Sequence, residues 1–521
     1  MIKVNFLITQ LLFIALFIGL LCSSCSKNDD DFIDNTVITE PIKQLPKINV
    51  LPENDVYGYV LDEELKPIEG VVVSDGFNLV TTNAKGEYQF KKSNKARFVY
   101  YSTPSDYTVN TSDDRNMALF YQPLNNSTIP QQHNFFLSKL KNKEEQFLVY
   151  AIGDPQVAND AEVVRFKEET IEDIKQELAK SKLPVYGISL GDVVADKPNL
   201  FNTMKTVLGS TAMPVFTTIG NHDKTGGSPA VPRNSLSFES SFGPLDFSFN
   251  RGNVHFVVLD NVVFKNDTDY SLGFSNEQLD WLEKDLSFVS KDKLLIISYH
   301  MPIRNSSFAT RSRLFDIIKD FKNIHFFAGH THYNENYIHK VNGIEIYEHV
   351  HAATCGAWWK STINGDGTPN GYGVYEIDGT SIKNWYYKPT KLAKEYQLRL
   401  HWGDANFGGQ YGVYTYGKTS RTLIANVWNA DPSWKVEVFM NDKKLGDMVL
   451  NSSLNTDAWS LGYHLGVLNR NAANYTTTTK HLYTFEVTSP DNTLKVVATD
   501  RFGKIYTQDL ITTSLNEAIG Y

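Results

Sequence analysis

Apolar residues run from Phe6 to Leu21, broken only by Thr9 and Gln10, and then stop. Residues 26–48 are polar and acidic, with Pro41 and Pro46, and read as a linker. From Val56 the apolar positions come in short runs. Tyr57-Gly58-Tyr59-Val60 and Val71-Val72-Val73 are strand-like, separated by the turn Lys66-Pro67-Ile68-Glu69-Gly70. Glu87-Tyr88-Gln89-Phe90 alternates strictly after the turn Asn83-Ala84-Lys85-Gly86. Short strands at about 10-residue spacing, with Gly, Pro and Asn between them, predict a β-sandwich over 49–140.

The rhythm changes over 146–388. Phe147–Ile152, Val185–Leu190, Val215–Ile219, Val254–Leu259, Leu294–Ser298 and Ile324–Phe327 are predicted strands. Between them, Val164, Ile171, Ile174 and Leu178 recur at helical spacing and predict a helix within 161–180. Ser275-Asn276-Glu277-Gln278 reads as a capping box that opens a helix carrying Leu279, Leu282 and Leu286. Strands alternating with helices predict an α/β layered core. Over 395–521 helical spacing disappears. Leu423–Val427, Val436–Phe439 and Leu494–Val497 predict a second small β domain.

The length of 521 residues fits about three domains. Composition, 41% hydrophobic and 21% charged, is that of a folded chain, and the net charge of -9 comes without a dense Lys/Arg run, so no nucleic-acid partner is expected. The N-terminus adds a destination. Lys3, the apolar run, and Ser23-Ser24-Cys25 have the layout of a secretory signal over 1–25. The run is short for a membrane span, the rival reading. Small residues ending in Cys resemble a lipoprotein processing site. Cys25 is the acceptor, because Leu21 ahead of Cys22 is too large for the cut. Ser26-Lys27-Asn28-Asp29-Asp30-Asp31 resembles the export tag of some Bacteroidota lipoproteins, and a solvated tether reads equally well. The expected location is outside the cytoplasm, in the periplasm or at the cell surface, held to the outer membrane by a lipid on Cys25. Once Cys22 and Cys25 are set aside, Cys355 has no partner, so no structural disulfide is expected.

Five polar clusters end predicted strands. They are Gly153-Asp154-Pro155-Gln156, Gly191-Asp192-Val193-Val194-Ala195-Asp196, Gly220-Asn221-His222-Asp223, Tyr299-His300 and Gly329-His330-Thr331-His332. Sites of open α/β sheets lie at the carboxyl ends of strands. A leading glycine lets the chain turn tightly there. Carboxylate, imidazole and amide oxygen together suit Mn, Fe or Zn. His330 and His332, two apart, would point to one side of an extended segment. Two ions require a bridging carboxylate, for which Asp192 is the natural choice.

In this order, the five clusters resemble the signature of the calcineurin-like metallophosphoesterases, over about 146–385. The resemblance implies a four-layer core, a central β-sandwich flanked by helices. The N-terminal domain resembles immunoglobulin-like modules. The resemblance further implies that Asp154 and His332 bind one metal, that Asn221, His300 and His330 bind the other, and that Asp192 bridges them. His222 would contact the phosphoryl oxygen or protonate the leaving group, with Asp223 orienting its imidazole. Gln156 stands where the family carries His, and is counted as a weaker, harder ligand. Asp196 falls one residue later than the family's second acid and is read as structural. The implied reaction is hydrolysis of a phosphate mono- or diester by water that two Mn, Fe or Zn ions activate.

Arg304, Trp358 and Trp359 are candidates for substrate contact, the tryptophans by stacking on a sugar or base. The alternatives for the tryptophans are packing under the C-terminal domain, and for Arg304 a surface ion pair. Two other functions fit the same sequence: a catalytically lapsed envelope or glycan-binding lipoprotein, and a secreted nuclease.

Overall fold

The structure is a computed structural model that describes residues 45–112, 116–304, 306–341, 343–403, 421–451, 456–469, 479–488 and 493–510. The secretory signal, most of the linker and Cys25 lie outside the described residues.

Two sheets build the centre. One has the strand order Val215–Thr217, Val185–Ser189, Gln146–Ile152, Gly371–Asp378, Ser381–Pro389, and its first three strands are parallel. The other runs Phe247–Arg251, Val254–Val258, Leu294–Ser298, Asn323–Ala328, Ile344–Val350, Glu335–Val341, parallel through its four inner strands. Alternation along Gln146–Ile152 explains the layering. Phe147, Val149 and Ala151 join the core shared with Phe249, Phe256 and Ile296 of the other sheet. Tyr150 and Ile152 point the opposite way, onto Phe166, Ile171 and Ile174 of the covering helices. Both faces are buried, so the strand reads as nearly continuous apolar sequence.

The helical layer differs from the expected pattern in one place. Val164 is 48% exposed, while Val163 and Phe166 are buried. A π turn over Lys167–Ile171 joins Asp160–Phe166 to Glu172–Lys180. Its wider turn shifts the helical phase, so one spacing does not serve both halves. The capping box at Ser275 is present in both directions, and Leu279, Leu282 and Leu286 are buried beneath it.

The N-terminal region forms two small four-stranded sheets whose buried residues continue the central core. It is fastened by Arg251, fully buried, whose guanidinium donates to the carbonyls of Pro104 and Ser105 at 3.1 and 2.9 Å. The C-terminal region has two further antiparallel four-stranded sheets. It also carries a short helix, Ala458–Leu461, that the sequence did not announce.

Candidate metal centre

Each of the five clusters follows a strand, and both central sheets contribute. The strands ending at Ile152, Ser189 and Thr217 lead to Asp154, Asp192 and Asn221. From the other sheet, strands ending at Ser298 and Ala328 lead to His300 and His330. Asp192 Oδ2 lies 3.3 Å from His300 Nε2. The same nitrogen is 3.2 Å from His330 Nδ1 and 3.1 Å from Asn221 Oδ1. Ligand atoms of Asp192, His300 and His330 all lie within 4.8 Å of one another. Beside this group, Asp154 Oδ1 is 3.6 Å from His332 Nε2. Gln156 Nε2 donates to Asp192 Oδ2 at 3.3 Å, while its Oε1 is buried with no hydrogen-bond partner.

The backbone under these side chains is unusual. Asp154, Gln156, Asp192, His330 and His332 have φ of 45, 42, 47, 71 and 52°. Left-handed conformations of non-glycine residues cost on the order of 1–3 kcal/mol each and persist only where surroundings impose them. Here the restraints are visible. The amide of Gln156 donates to the Asp192 carbonyl at 2.8 Å. The amide of His330 donates to both carboxylate oxygens of Asp154 at 3.0 Å. The amide of Asn334 donates to Asp366 Oδ2 at 2.9 Å. Two glycines are required by contact. A Cβ on Gly220 would stand 2.2 Å from the Asp192 amide nitrogen, and one on Gly329 would stand 2.5 Å from Asp154 Oδ2.

His330 and His332 do not share one side of a strand. Their left-handed turn aims His330 at His300, and it aims His332 at Asp154 and at Cys355, whose Sγ is 3.9 Å from His332 Nδ1.

Charge in this dry pocket is strongly coupled. Burial works against a charged His300, but the Asp192 carboxylate outweighs it and lifts the ring to about 9. Burial and the neighbouring His300 pull His330 down to about 4. Burial opposes ionisation of Asp192, yet His300 holds its carboxyl below the usual range. Burial, then the charge of Asp192, pushes Asp223 up to about 7. A carboxylate that draws a proton onto a buried imidazole attracts a divalent cation still more strongly.

The orientation of His222 corrects one expectation. Asp223 does not hold its imidazole. The Asp223 carboxylate is turned inward and accepts from the amides of Val193, Val194 and Gly220 at 3.2, 3.1 and 2.9 Å. Asp196, read from the sequence as structural, lies 2.8 Å from His222 Nδ1 and is ion-paired with Arg233. Burial lowers the affinity of His222 for a proton, but the Asp196 hydrogen bond and the charges of Asp192 and Asp196 together outweigh it and raise the ring above the usual histidine range. The chemical hint was available: Asp196 is the second carboxylate of its own cluster, at the same strand end as Asp192.

The other candidates divide. Arg304 is engaged, 2.8 Å from Glu335 and over the Tyr333 ring, so it is the ion-pair reading that holds. Trp359 is 2% exposed and packs near Phe166, with Nε1 donating to the Pro155 carbonyl at 2.9 Å. It belongs to the core and is not open to a substrate, because its ring is buried and its polar edge is satisfied by backbone. Trp358 is 42% exposed and packs on the His332 ring, with centroids 4.9 Å apart.

Two carboxylates, two amide side chains and three imidazoles, nearly all buried, form a mixed N/O donor set. That set fits Mn, Fe or Zn better than Ca or Mg, which prefer oxygen alone. The unpaired Gln156 Oε1 fits the same reading, because buried acceptors are normally satisfied.

Comparison with known proteins agrees in extent. Family models match at 54–140 (N terminal of calcineurin-like phosphoesterase), 147–334 (calcineurin-like phosphoesterase) and 348–506 (C terminal of calcineurin-like phosphoesterase). No curated protein matches the chain. Among solved structures, a purple acid phosphatase from yellow lupin is 15% identical with a TM-score of 0.35, covering 60% of this chain and 56% of that one. A 5'-nucleotidase precursor from Thermus thermophilus is 10% identical with a TM-score of 0.29, covering 47% and 54%. The chain thus spans about half the length of these structures.

Proposed function

The chain belongs to the calcineurin-like phosphoesterase family, and on that premise we propose that it hydrolyses phosphoric esters at a centre of two metal ions. The observation that carries this reading is the meeting of Asp192, His300 and His330, with ligand atoms within 4.8 Å of one another. In this reading Asn221, His300 and His330 would hold one ion. Asp154, His332 and Gln156 would hold the other, and Asp192 would serve both. Bound ions would polarise a phosphoryl oxygen and lower the pKa of water toward neutrality.

The chain's own residues supply the rest. Asp196 engages Nδ1 of His222, so Nε2 is the ring nitrogen that would meet a substrate. From there His222 donates to a phosphoryl oxygen or passes a proton to the leaving oxygen. Asp223 shapes the turn that carries His222 by accepting three amide protons. The Gly220 backbone keeps Asp192 and Asn221 close enough to act together. The apolar run Phe6–Leu21 and Cys25 support a lipid-anchored location outside the cytoplasm.

The test uses protein lacking residues 1–25. Elemental analysis should find about two Mn, Fe or Zn ions per chain. p-Nitrophenyl phosphate and bis-p-nitrophenyl phosphate then separate a monoesterase from a diesterase. Asp192→Asn and His222→Ala should both lose activity, the first together with its metal. Protein that stays metal-free and inactive after supply of Mn, Fe or Zn would overturn the reading.

A further inference from the structure

We propose that Trp358 is a stacking platform for a planar aromatic group on the ester, so that the substrates are nucleoside or aryl phosphoric esters. The proposal rests on the hydrolase reading and adds the substrate class to it.

Trp358 is the exposed tryptophan among the described residues, and it packs against His332 of the centre. Its ring packs on His332 with an interplanar angle of 31°, and 42% of the residue remains open. The backbone that puts it there is held against its preference. Trp358 and Trp359 have φ of 47 and 58°, and both are bulky residues that rarely take left-handed conformations. Gly356, at φ +57, begins the same turn, where a Cβ would meet the Ser361 carbonyl at 2.2 Å.

Trp359 is the anchor of this turn. Its Nε1 donates to the Pro155 carbonyl, its own carbonyl accepts from Arg165 at 3.1 Å, and its ring is buried. With Trp359 locked inward, Trp358 is turned outward beside His332. Backbone strain that holds an aromatic ring outward beside a candidate ligand is the kind of local cost that functional sites retain.

A second ring stands on the neighbouring histidine. Tyr270 lies edge-on to His330, with centroids 6.2 Å apart, and is itself against Phe264. Aromatic rings therefore flank both histidines of the Gly329–His332 turn. A flat group attached near the phosphorus would meet π surface there. An indole face accepts any nucleobase or aryl ring without reading its edges, so the platform selects for aromaticity and not for one base.

The experiment compares metal-loaded wild type, Trp358→Ala and Trp358→Phe. Rates are taken on adenosine 5'-monophosphate, ribose 5-phosphate, p-nitrophenyl phosphate and ethyl phosphate. Calorimetry measures binding of adenosine and ribose 5-phosphates in parallel. Trp358→Ala should lower the adenosine-to-ribose ratio of kcat/KM on the order of 10- to 100-fold, mainly through KM, and Trp358→Phe should keep most of the preference. A parallel loss with p-nitrophenyl against ethyl phosphate shows that any aryl group serves, and a loss confined to the nucleotide restricts the class to nucleobases. Equal losses on ring-bearing and ring-free esters, or no preference in the wild type, would overturn the proposal. If no ester is cleaved, the hydrolase reading fails, and calorimetry still decides whether Trp358 grips the base.

Discussion

Asp196 Oδ2 lies 2.8 Å from His222 Nδ1, while Asp223, adjacent to His222 in sequence, directs its carboxylate at three backbone amides. The two acids therefore fail in different ways when neutralised. Asp196→Asn should reduce kcat on the order of 10- to 100-fold with metal content retained, because the His222 imidazole and Arg233 lose their carboxylate partner while every candidate metal ligand is untouched. Asp223→Ala should leave three buried donors unmatched and cost about 3 kcal/mol or more in a denaturant titration. A stable Asp223→Ala protein with selectively reduced kcat would reverse these assignments.

Gly220→Ala tests the contact that the fold cannot relieve. The added carbon would stand 2.2 Å from both the Asp192 amide nitrogen and Asp192 Oδ1. Metal affinity should fall on the order of 100-fold while the far-ultraviolet dichroism spectrum persists. Elemental analysis after dialysis reads the loss.

Asp366 clamps the far end of the turn that carries His330 and His332. Its Oδ2 accepts from the Asn334 amide at 2.9 Å and lies 3.0 Å from His481 Nε2 of the C-terminal region. Asp366→Ala should loosen His332 more than His330, which Asp154 holds directly. A metal titration should show one ion weakened on the order of 10- to 100-fold and the other much less affected. Equal weakening of both would refute the clamp.

His349 makes stability depend on pH. Burial, then the neighbouring His325, His351 and Arg501, hold it well below the usual histidine range. The unfolded chain, with histidine near about 6.5, takes up a proton that the folded chain refuses. The contribution is complete above about pH 6.5 and is lost as pH falls toward the folded value. His349→Gln should shrink the stability difference between about pH 7.5 and about pH 5.5, read from denaturant midpoints. An unchanged difference would show that His349 is not the group responsible.

Residue pattern alone was enough to read the layered core and the five strand ends. Parallel strands buried on both faces leave apolar runs, and tight turns after them leave glycine beside ligand types. Orientation was not legible in that way. The choice between Asp196 and Asp223 depends on which carboxylate the turn rotates outward, and adjacency in sequence favoured the wrong one. Trp358 and Trp359 are identical in type and adjacent in position, so only the left-handed turn separates a core residue from an exposed one. The π turn at Lys167–Ile171 hid Val163 behind a spacing that pointed to Val164.

Asp192 and Asn221 hang from one central sheet, and His300 and His330 from the other. Ions seated among them would act as a rivet through the sandwich, resisting any slide of one sheet across its partner. Loss of metal would then soften the molecule as well as silence it. A protease would find the stripped form first.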